Sequence, residues 1–369
     1  MSTIKVSSIV PPNVGEGVSI DGLQMPTAGA FSNRNLIQNG AMTVAQRGTS
    51  STTVGYATVD RFKLAFSGGT KTQSRESLTS GSPYDEGFHN FYRATNTSAG
   101  SNNASNFVTF RHVIEDQNLA CSGWTYKSSS SFITLSFWVR SSVSQEFYAH
   151  FNQGTDAYNY ACSIGTLAAN TWTKITKTVP GNSNLSFGND NSAGLGVNIV
   201  PFWGTNFTTS GSTVNAWYAW NSASRVPDMT TTWNTTAGAT FDITGVQLEV
   251  GSKSTEYSHE SYSQTLAKCQ RYYQLVSFTN GSVANSTKVH SNFSPYVEMR
   301  AAPSISSQGP IEVNDNNTNI TQSSVGVVAY GTGKIKFVQL TNFTGLTSHR
   351  PAFMRFNANN NLLTLDSEL

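Results

Sequence analysis

The feature that most constrains the fold is a strict two-residue alternation of apolar and polar side chains over residues 132–140. One phase contains Ile133, Leu135, Phe137 and Val139, and the other contains Thr134, Ser136 and Trp138. Successive side chains of a β-strand lie on opposite faces, so this period predicts a half-buried strand with one polar-leaning face. Residues 107–114, rich in β-branched and aromatic side chains, predict a second strand, and residues 172–179 predict a weaker one.

Residues 241–250 show the same alternation with a change of phase. Phe241 and Ile243 share one phase, whereas Val246, Leu248 and Val250 share the other. A glycine at position 245 lies at the switch, which predicts a β-bulge there. Several such strands, separated by loops of Gly, Asn and Ser, are typical of a jelly roll, so the predicted fold class is an all-β, jelly-roll β-sandwich.

The composition fits a β-rich protein and narrows its function. Of the 369 residues, 37% are hydrophobic and 12% are charged, and the difference is made up by residue types that suit turns and solvated strand faces. A net charge of +2 without any run of Lys or Arg predicts no nucleic-acid partner. No apolar stretch is long enough to span a membrane, and residues 1–10 lack the apolar region of a secretory signal.

The patterns divide the chain into four predicted parts. Residues 1–33 form an arm whose short, glycine-punctuated apolar pattern is too small to build a core alone. Residues 34–260 contain the repeated strand patterns of the jelly roll, residues 261–274 a junction helix, and residues 275–369 a C-terminal β domain. An arm that cannot fold alone usually docks on a partner or on copies of itself.

The junction helix and the C-terminal β domain are predicted from apolar residues that recur at different spacings. Tyr262, Leu266, Cys269 and Tyr273 recur at steps of four, three and four, which predicts one apolar helical stripe. Strand patterns return in the tail at residues 335–340, 353–356 and 362–365, with turns predicted at Asn280-Gly281 and at residues 331–333. Two polar segments, residues 280–287 and 314–324, are candidate contact loops.

The residue types needed for catalysis do not form a recognisable pattern. The six histidines are scattered, no G-x-S-x-G elbow is present, and the glycines of residues 331–334 precede a strand pattern rather than the helix of a phosphate loop. Cys121, Cys162 and Cys269 lack metal-ligand spacing and are predicted to be small buried residues in a reducing compartment. We therefore expect no enzymatic activity.

Glycan cleavage stays open as an alternative, because it needs only two carboxyl groups flanking the bond. The candidates are Glu115, Asp116, Asp156 and Asp242. No pair of them can be shown from sequence to converge.

Aromatic residues offer a better prospect for binding, since sugars present apolar ring faces together with hydroxyls. Five aromatic residues concentrate in one polar region, and they are the candidate ligand-binding residues: Trp203, Trp217, Tyr218, Trp220 and Trp233. If residues 217–220 are extended, Trp217 faces one way, and Tyr218 and Trp220 the other. Packing in the core or in a trimer is the alternative role for most of them.

Several segments resemble a known family. NLIQNGAMTVAQRG at residues 35–48, followed by TVDRF at residues 58–62, resembles the opening of a phage tail-fibre jelly roll that is similar to carbohydrate-binding modules. FDITGVQLEVG at residues 241–251 resembles its closing strand, and CQRYYQ at residues 269–274 the junction after it.

The ends of the chain carry further marks of the same family. MRAAP at residues 299–303 and LDSEL at residues 365–369 resemble its C-terminal β domain. MSTIKV at residues 1–6 with IDG at residues 20–22 is similar to fibre proteins of phages that infect marine bacteria, cyanobacteria among them.

The resemblance implies a fibre subunit of the virion tail, made in the bacterial cytoplasm and assembled as a homotrimer. It implies that residues 1–33 attach to a tail or adaptor protein and that the fibre binds a host-surface glycan or protein. It requires no cofactor but allows a structural Ca²⁺, for which Asp242 is the named candidate. A capsid decoration or collar fibre without receptor contact and a tail polysaccharide depolymerase are the alternatives.

Overall fold

The chain forms two compact units in the computed structural model, Met1–Ser261 (unit 1) and Tyr262–Leu369 (unit 2). The residues that the structure describes are 19–20, 23–24, 34–154, 157–277, 280–291, 295–315, 319–322, 326–330, 337–356 and 363–369. Most of the predicted arm, Asp156 and the turn at residues 331–333 lie outside the described residues. The division into four predicted parts stays a prediction.

Unit 1 contains fourteen described strands and three short helices. In chain order they are β1 (Ser19–Ile20), β2 (Leu23–Gln24), β3 (Ser50–Ser51), β4 (Lys63–Ser67), β5 (Lys71–Ser77), α1 (Ser82–Asp85), β6 (Asn90–Asn96), β7 (Phe107–Glu115), α2 (Asp116–Ala120), β8 (Phe132–Ser141), β9 (Glu146–Gln153), β10 (Tyr158–Thr166), β11 (Thr173–Pro180), β12 (Ala193–Trp203), β13 (Trp217–Ala219), α3 (Thr232–Thr235) and β14 (Thr240–Val250). β1 and β2 pair only with each other.

Two six-stranded antiparallel sheets form the body of unit 1, which confirms the predicted all-β jelly-roll sandwich. Sheet I has the order β13-β10-β9-β12-β7-β4, and sheet II has the order β11-β8-β14-β6-β5-β3. The alternate apolar side chains of both sheets meet in one core that includes Phe110, Phe137, Phe151, Ile199 and Phe241. Burial of this apolar surface is the main stabilising term of the sandwich.

The predicted polar face of β8 is also buried, which corrects the expectation of a half-buried strand. Thr134 and Ser136 are 0% and 5% exposed, and Trp138 is 8% exposed. The Thr134 hydroxyl donates to the carbonyl of Gly251 at 2.8 Å, and the Trp138 indole N–H donates to Glu86 at 3.0 Å. The polar side chains of this face therefore serve as hydrogen-bonding groups beneath neighbouring segments rather than as a solvated surface.

The predicted bulge in β14 is confirmed. The register of β14 against β8 shifts between Thr244 and Gln247, and Gly245 has a φ of 61°. A Cβ atom at this position would lie 2.7 Å from the Phe88 ring, so both the backbone conformation and the packing favour glycine. The extra residue explains why the inward phase changes along this strand.

Unit 2 contains one helix and ten described strands. They are α4 (Tyr262–Gln270), β15 (Tyr273–Val276), β16 (Asn280–Asn285), β17 (Lys288–Ser291), β18 (Ser304–Ser307), β19 (Ile311–Asn314), β20 (Asn319–Gln322), β21 (Gly326–Tyr330), β22 (Phe337–Thr341), β23 (Pro351–Phe356) and β24 (Leu363–Asp366). The sheets have the orders β15-β24-β18 and β20-β19-β23-β16-β17-β22-β21. Their core includes Val283, Ile311, Leu340 and Leu365.

Two local predictions in unit 2 are wrong. The helix ends at Gln270, and Tyr273 begins β15 instead of completing the helical stripe, while Tyr262 is 60% exposed. The Asn280-Gly281 pair lies inside β16 rather than at a turn, because β16 pairs there with β23. The candidate loop at residues 280–287 is accordingly a hairpin of β16 and β17.

The three cysteines differ in exposure. Cys162 and Cys269 are buried as predicted, but Cys121 is exposed, which corrects its assignment to the interior.

Within the described ranges, no helix combines the length and the apolar character that crossing a membrane requires.

Candidate functional site

A group of polar side chains lies across the outer face of sheet I, which points away from the main core. It comprises Arg111 on β7, His150 and Asn152 on β9, Asn159 on β10 and Asn198 on β12, and we call it the polar row. Their immediate neighbours along each strand face the core, so the period of two directs these five outward. Strand pairing places Asn198 opposite both Arg111 and His150, and Asn159 opposite Asn152.

Most of the polar row is buried although it faces away from the core. Asn159 is 0% exposed, His150 1%, Asn152 3% and Asn198 4%. The Asn198 amide donates to the Asn152 side-chain oxygen at 3.0 Å and to the His150 carbonyl at 3.2 Å. These bonds hold the centre of the row in one arrangement.

Other atoms of the polar row have no hydrogen-bond partner within the protein. They are Nε of Arg111 and Nδ2 of Asn159, whereas the His150 imidazole and the Asn159 side chain hydrogen-bond to each other. A buried polar group left unpaired costs about 1–3 kcal/mol, so such groups are uncommon in folded proteins. Two of them on one face mark a place with unused hydrogen-bonding capacity.

An aromatic cluster adjoins the polar row. The segment between β12 and α3, residues 204–231, packs on the outer face of sheet I through Phe207 and Val226, which contact Tyr148 and Val200. The Arg225 guanidinium carbon lies 5.5, 4.9 and 4.7 Å from the ring centroids of Trp203, Phe207 and Trp220, respectively. We call these four residues with Tyr218 the Arg225 cluster.

One ring contact joins the two groups. The Trp203 indole stands edge-on to the His150 imidazole at 5.1 Å between centroids. The Tyr218 hydroxyl donates to the Arg225 carbonyl at 2.5 Å, and this bond holds Arg225 against β13. Aromatic faces and unpaired amide and guanidinium groups therefore share one side of sheet I.

The structure brings together three of the five predicted aromatic residues. Trp203, Tyr218 and Trp220 belong to the Arg225 cluster, and the last two are half-buried. Trp217 points the other way, as predicted: its indole N–H donates to the Pro180 carbonyl at 2.6 Å, and its ring packs on the core. Trp233 lies in the main core, on the opposite side of sheet I from the polar row.

Sequence reasoning missed the polar row and Arg225. The sequence signal that could have revealed the polar row is the alternation over residues 146–153, where His150 and Asn152 alternate with Phe147, Ala149 and Phe151. This phase marks outward positions but not which of them meet, because the row combines four strands of which only β9 and β10 are consecutive in the chain.

The two charges that act on His150 are positive. Burial, together with the charges of Arg225 and Arg111, lowers the pKa of His150 to about 3, while a hydrogen bond with the Asn159 side chain opposes the shift. Burial likewise lowers the pKa of His112, beside Arg61. Both imidazoles are neutral in the folded protein at neutral pH.

The lowered pKa of His150 predicts a loss of stability in acid. The unfolded chain takes up a proton below pH 6.5 and the folded chain only near pH 3, so stability falls as the pH drops between these values. One such histidine contributes a slope of up to about 1.4 kcal/mol per pH unit. Urea unfolding at pH 7.0 and 4.5 should show a smaller pH dependence in His150→Gln than in wild type. His89→Gln, at an exposed position, is the matched control, and equal slopes in all three proteins would contradict the assignment.

A cavity lies on the outer face of sheet II. It is a cleft of about 370 Å³ lined by Asp85, Glu86, Lys174, Glu256, Tyr257 and His259. Glu86 accepts from Lys174 at 2.9 Å and from the Trp138 indole at 3.0 Å. Sequence reasoning named none of these residues as a site.

The four carboxylates considered for glycan cleavage occupy other places. Glu115 is buried and accepts from the Gln117 amide at 2.5 Å, and Asp116 follows it at the start of α2. Burial, with Asp190 nearby, raises the pKa of Asp116. Asp242 is on sheet II, and Asp156 is not described.

The surroundings of Asp242 do not fit a calcium ion. Its buried carboxylate accepts from Arg93 at 2.7 and 2.9 Å and from Arg140 at 2.8 and 2.9 Å. Calcium requires six to eight oxygen ligands, whereas two guanidinium cations surround these oxygens. Among the residues that the structure describes, no three His, Cys, Asp or Glu side chains converge as metal ligands.

Comparisons with known proteins give only distant matches. No protein-family model and no curated protein matches the chain. A solved structure of the enzymatically active domain of tailspike protein 4 from bacteriophage CBA120 is 13% identical with a TM-score of 0.34, over 58% of this chain and 21% of that one. A CBM4 carbohydrate-binding module is 11% identical with a TM-score of 0.30, over 58% and 99%.

A third structure, the tripod from the baseplate of bacteriophage Tuc2009, is 14% identical with a TM-score of 0.25, over 63% of this chain and 60% of that one. The chain thus spans about a fifth of the tailspike domain's length. The matched structures include phage tail components and carbohydrate-binding modules. At these identities and TM-scores we base no functional assignment on them.

Proposed function

We propose that the chain is a structural protein of a phage tail fibre that attaches to the host cell surface by binding a glycan at the polar row and the Arg225 cluster. The observation that carries the glycan-binding role is the pair of unpaired buried donors on Arg111 and Asn159, beside aromatic rings. The tail-fibre role is supported by the resemblance of residues 241–251 and 269–274 to that family.

The chemistry of the site suits a saccharide. A sugar ring presents an apolar face that stacks on aromatic rings, and its hydroxyls both donate and accept hydrogen bonds. Trp220 and Tyr218 are half-buried and leave part of their surface for such contact. The amide nitrogen of Asn159 offers a donor that the protein does not use.

The rest of the proposal concerns assembly. Residues 1–33 attach the fibre to the tail or an adaptor, three chains associate, and the protein is made in the bacterial cytoplasm before it enters the virion. Three copies multiply a weak single-site affinity when they bind one surface together. The protein acts by binding without cleaving the glycan.

Glycan binding should fall at least tenfold in Trp220→Ala and in Asn159→Ala. The first variant removes a stacking surface, and the second removes hydrogen-bonding groups; a tenfold loss corresponds to about 1.4 kcal/mol. The measurement is binding of the full chain to an array of bacterial capsular and lipopolysaccharide glycans. Tyr84→Ala, an aromatic residue that is 37% exposed elsewhere in unit 1, is the matched control. Unchanged binding by both site variants would overturn the site.

Two further observations separate the alternatives. Antibody labelling of intact virions should mark the tail, and label on the capsid or collar would overturn the tail-fibre assignment. The bound glycan should keep its length after incubation with the protein. Shortened chains that disappear with Glu256→Gln would instead place a depolymerase in the cleft of sheet II.

A further inference from the structure

We propose that the glycan bound at the polar row is acidic, carrying a carboxylate, sulfate or phosphate group. This inference rests on the proposed function and names the class of saccharide that the same site takes. It is carried by the excess of hydrogen-bond donors in the row and by the sign of the charges around it.

The unpaired atoms are mainly donors. Nε of Arg111 carries a proton in every state of the side chain, and Nδ2 of Asn159 is also a donor. The Asn198 amide lies 3.4 Å from Nδ1 of His150, and in the tautomer where Nδ1 accepts, the proton is on Nε2. This N–H is engaged by the Asn159 side chain, so the unpaired atoms that remain are two donors, Nε of Arg111 and Nδ2 of Asn159. An oxyanion supplies several acceptors and no donor, so it meets this excess.

The charges on this face are positive. Lys63 on β4 pairs directly with Arg111 on β7, and both alternate with core-facing neighbours. Arg225 lies over the Trp203 ring beside the row, and its charge and that of Arg111 both lower the pKa of His150. Positive charges raise the local concentration of anionic ligands.

The carboxylates described on this face are already engaged. Asp228, in the 204–231 segment, accepts from the Thr208 hydroxyl at 2.8 Å. Glu146 begins β9 and accepts from the Ser163 hydroxyl at 2.5 Å, and Glu115 ends β7 and accepts from Gln117. The centre of the row, occupied by Asn159, Asn198 and Arg111, contains only amides and a cation. It presents no negative charge of its own to an incoming acid group.

The extent of the row favours a saccharide over a small inorganic anion. β7 and β9 are separated by β12, so at a strand spacing of about 4.8 Å the strands of Arg111 and His150 are about 10 Å apart. Asn159 on β10 extends the row by one more strand. One sulfate or phosphate ion cannot engage donors over this distance, whereas the hydroxyls and acid group of an oligosaccharide can.

Matched glycan pairs test the inference with the full-length protein. Oligogalacturonate is compared with its carboxyl-reduced form, chondroitin sulfate with its desulfated form, and a phosphorylated mannan with its dephosphorylated form. We expect at least one acidic member to bind ten times more tightly than its neutral partner, with an affinity that falls as salt is added. Equal or tighter binding of the neutral member in every pair overturns the inference, and so does a failure of all three acidic members to bind.

The outcome separates this inference from the proposed function. If the glycan array gives only neutral ligands and Trp220→Ala weakens them, the binding function stands and the acidic preference is wrong. If no glycan binds at all, both fail. Inorganic sulfate at the same ionic strength should not compete, and competition by sulfate alone would identify a simple anion site instead.

Two arginine variants separate charge from folding. Arg111→Gln should weaken binding of the acidic glycan at least tenfold, and Arg111→Lys should restore part of it because the positive charge is kept. Arg34→Gln is the matched control, since its guanidinium bonds the Glu256 carbonyl away from sheet I. Thermal unfolding of each variant shows that it is folded, and equal affinity in Arg111→Gln and wild type overturns the inference.

Discussion

Replacement of Asp242 by alanine should lower the free energy of unfolding by about 3 kcal/mol or more. The carboxylate is 0% exposed, and its oxygens accept four N–H groups from Arg93 and Arg140. Removing one member of a buried ion pair typically costs about 3–5 kcal/mol, because the remaining charge loses its partner. The two guanidinium groups are 28% and 26% exposed, so water offsets part of the loss and the lower end is expected.

Urea unfolding followed by tryptophan fluorescence measures this loss. Asp85→Asn, which changes an exposed aspartate, should stay within about 0.5 kcal/mol of wild type. Added calcium should leave the wild-type midpoint unchanged, because Asp242 bonds to cations rather than forming an oxygen cage. A calcium-dependent midpoint that Asp242→Ala abolishes would restore this aspartate as a metal ligand.

The fold could be predicted largely because its determinants are local. The alternation over residues 132–140 and the phase change at Gly245 each lie within one strand. The first forms β8 and the second forms the bulge of β14. Solvent exposure depends instead on distant segments. The sequence pattern predicts a solvated polar face for β8, yet the Thr134 hydroxyl donates to the carbonyl of Gly251, which is 117 residues away.

The candidate site was less accessible to sequence reasoning for the same physical reason. Arg111, Asn198 and His150 are neighbours only because β12 lies between β7 and β9 in sheet I. Nothing local to any of these residues specifies that order of strands. Arg225 joins them through a long segment whose position depends on packing against Tyr148 and Val200.

Local composition does not predict which aromatic residues are buried in the core and which are partly exposed. Trp220 and Trp233 lie thirteen positions apart in the same polar region, and sequence reasoning treated both as ligand candidates. In the structure Trp220 is half-buried over Arg225, whereas Trp233 fills the core against Phe241, with a centroid distance of 6.2 Å. The backbone N–H of Trp233 donates to Gln145, and its indole N–H donates to Thr240.

Trp233→Ala should therefore destabilise unit 1 by about 3–5 kcal/mol, since truncating a buried tryptophan leaves a cavity and loses its apolar burial. Trp220→Ala should cost less than about 1 kcal/mol because its site is partly exposed. Urea unfolding of both variants measures the two losses, and glycan binding is compared below the unfolding transition. The expected pattern is crossed: Trp233→Ala is unstable but binds normally while folded, whereas Trp220→Ala is stable but binds weakly. A stable Trp233→Ala that loses binding would show that this residue contacts the ligand, contrary to its position in the main core.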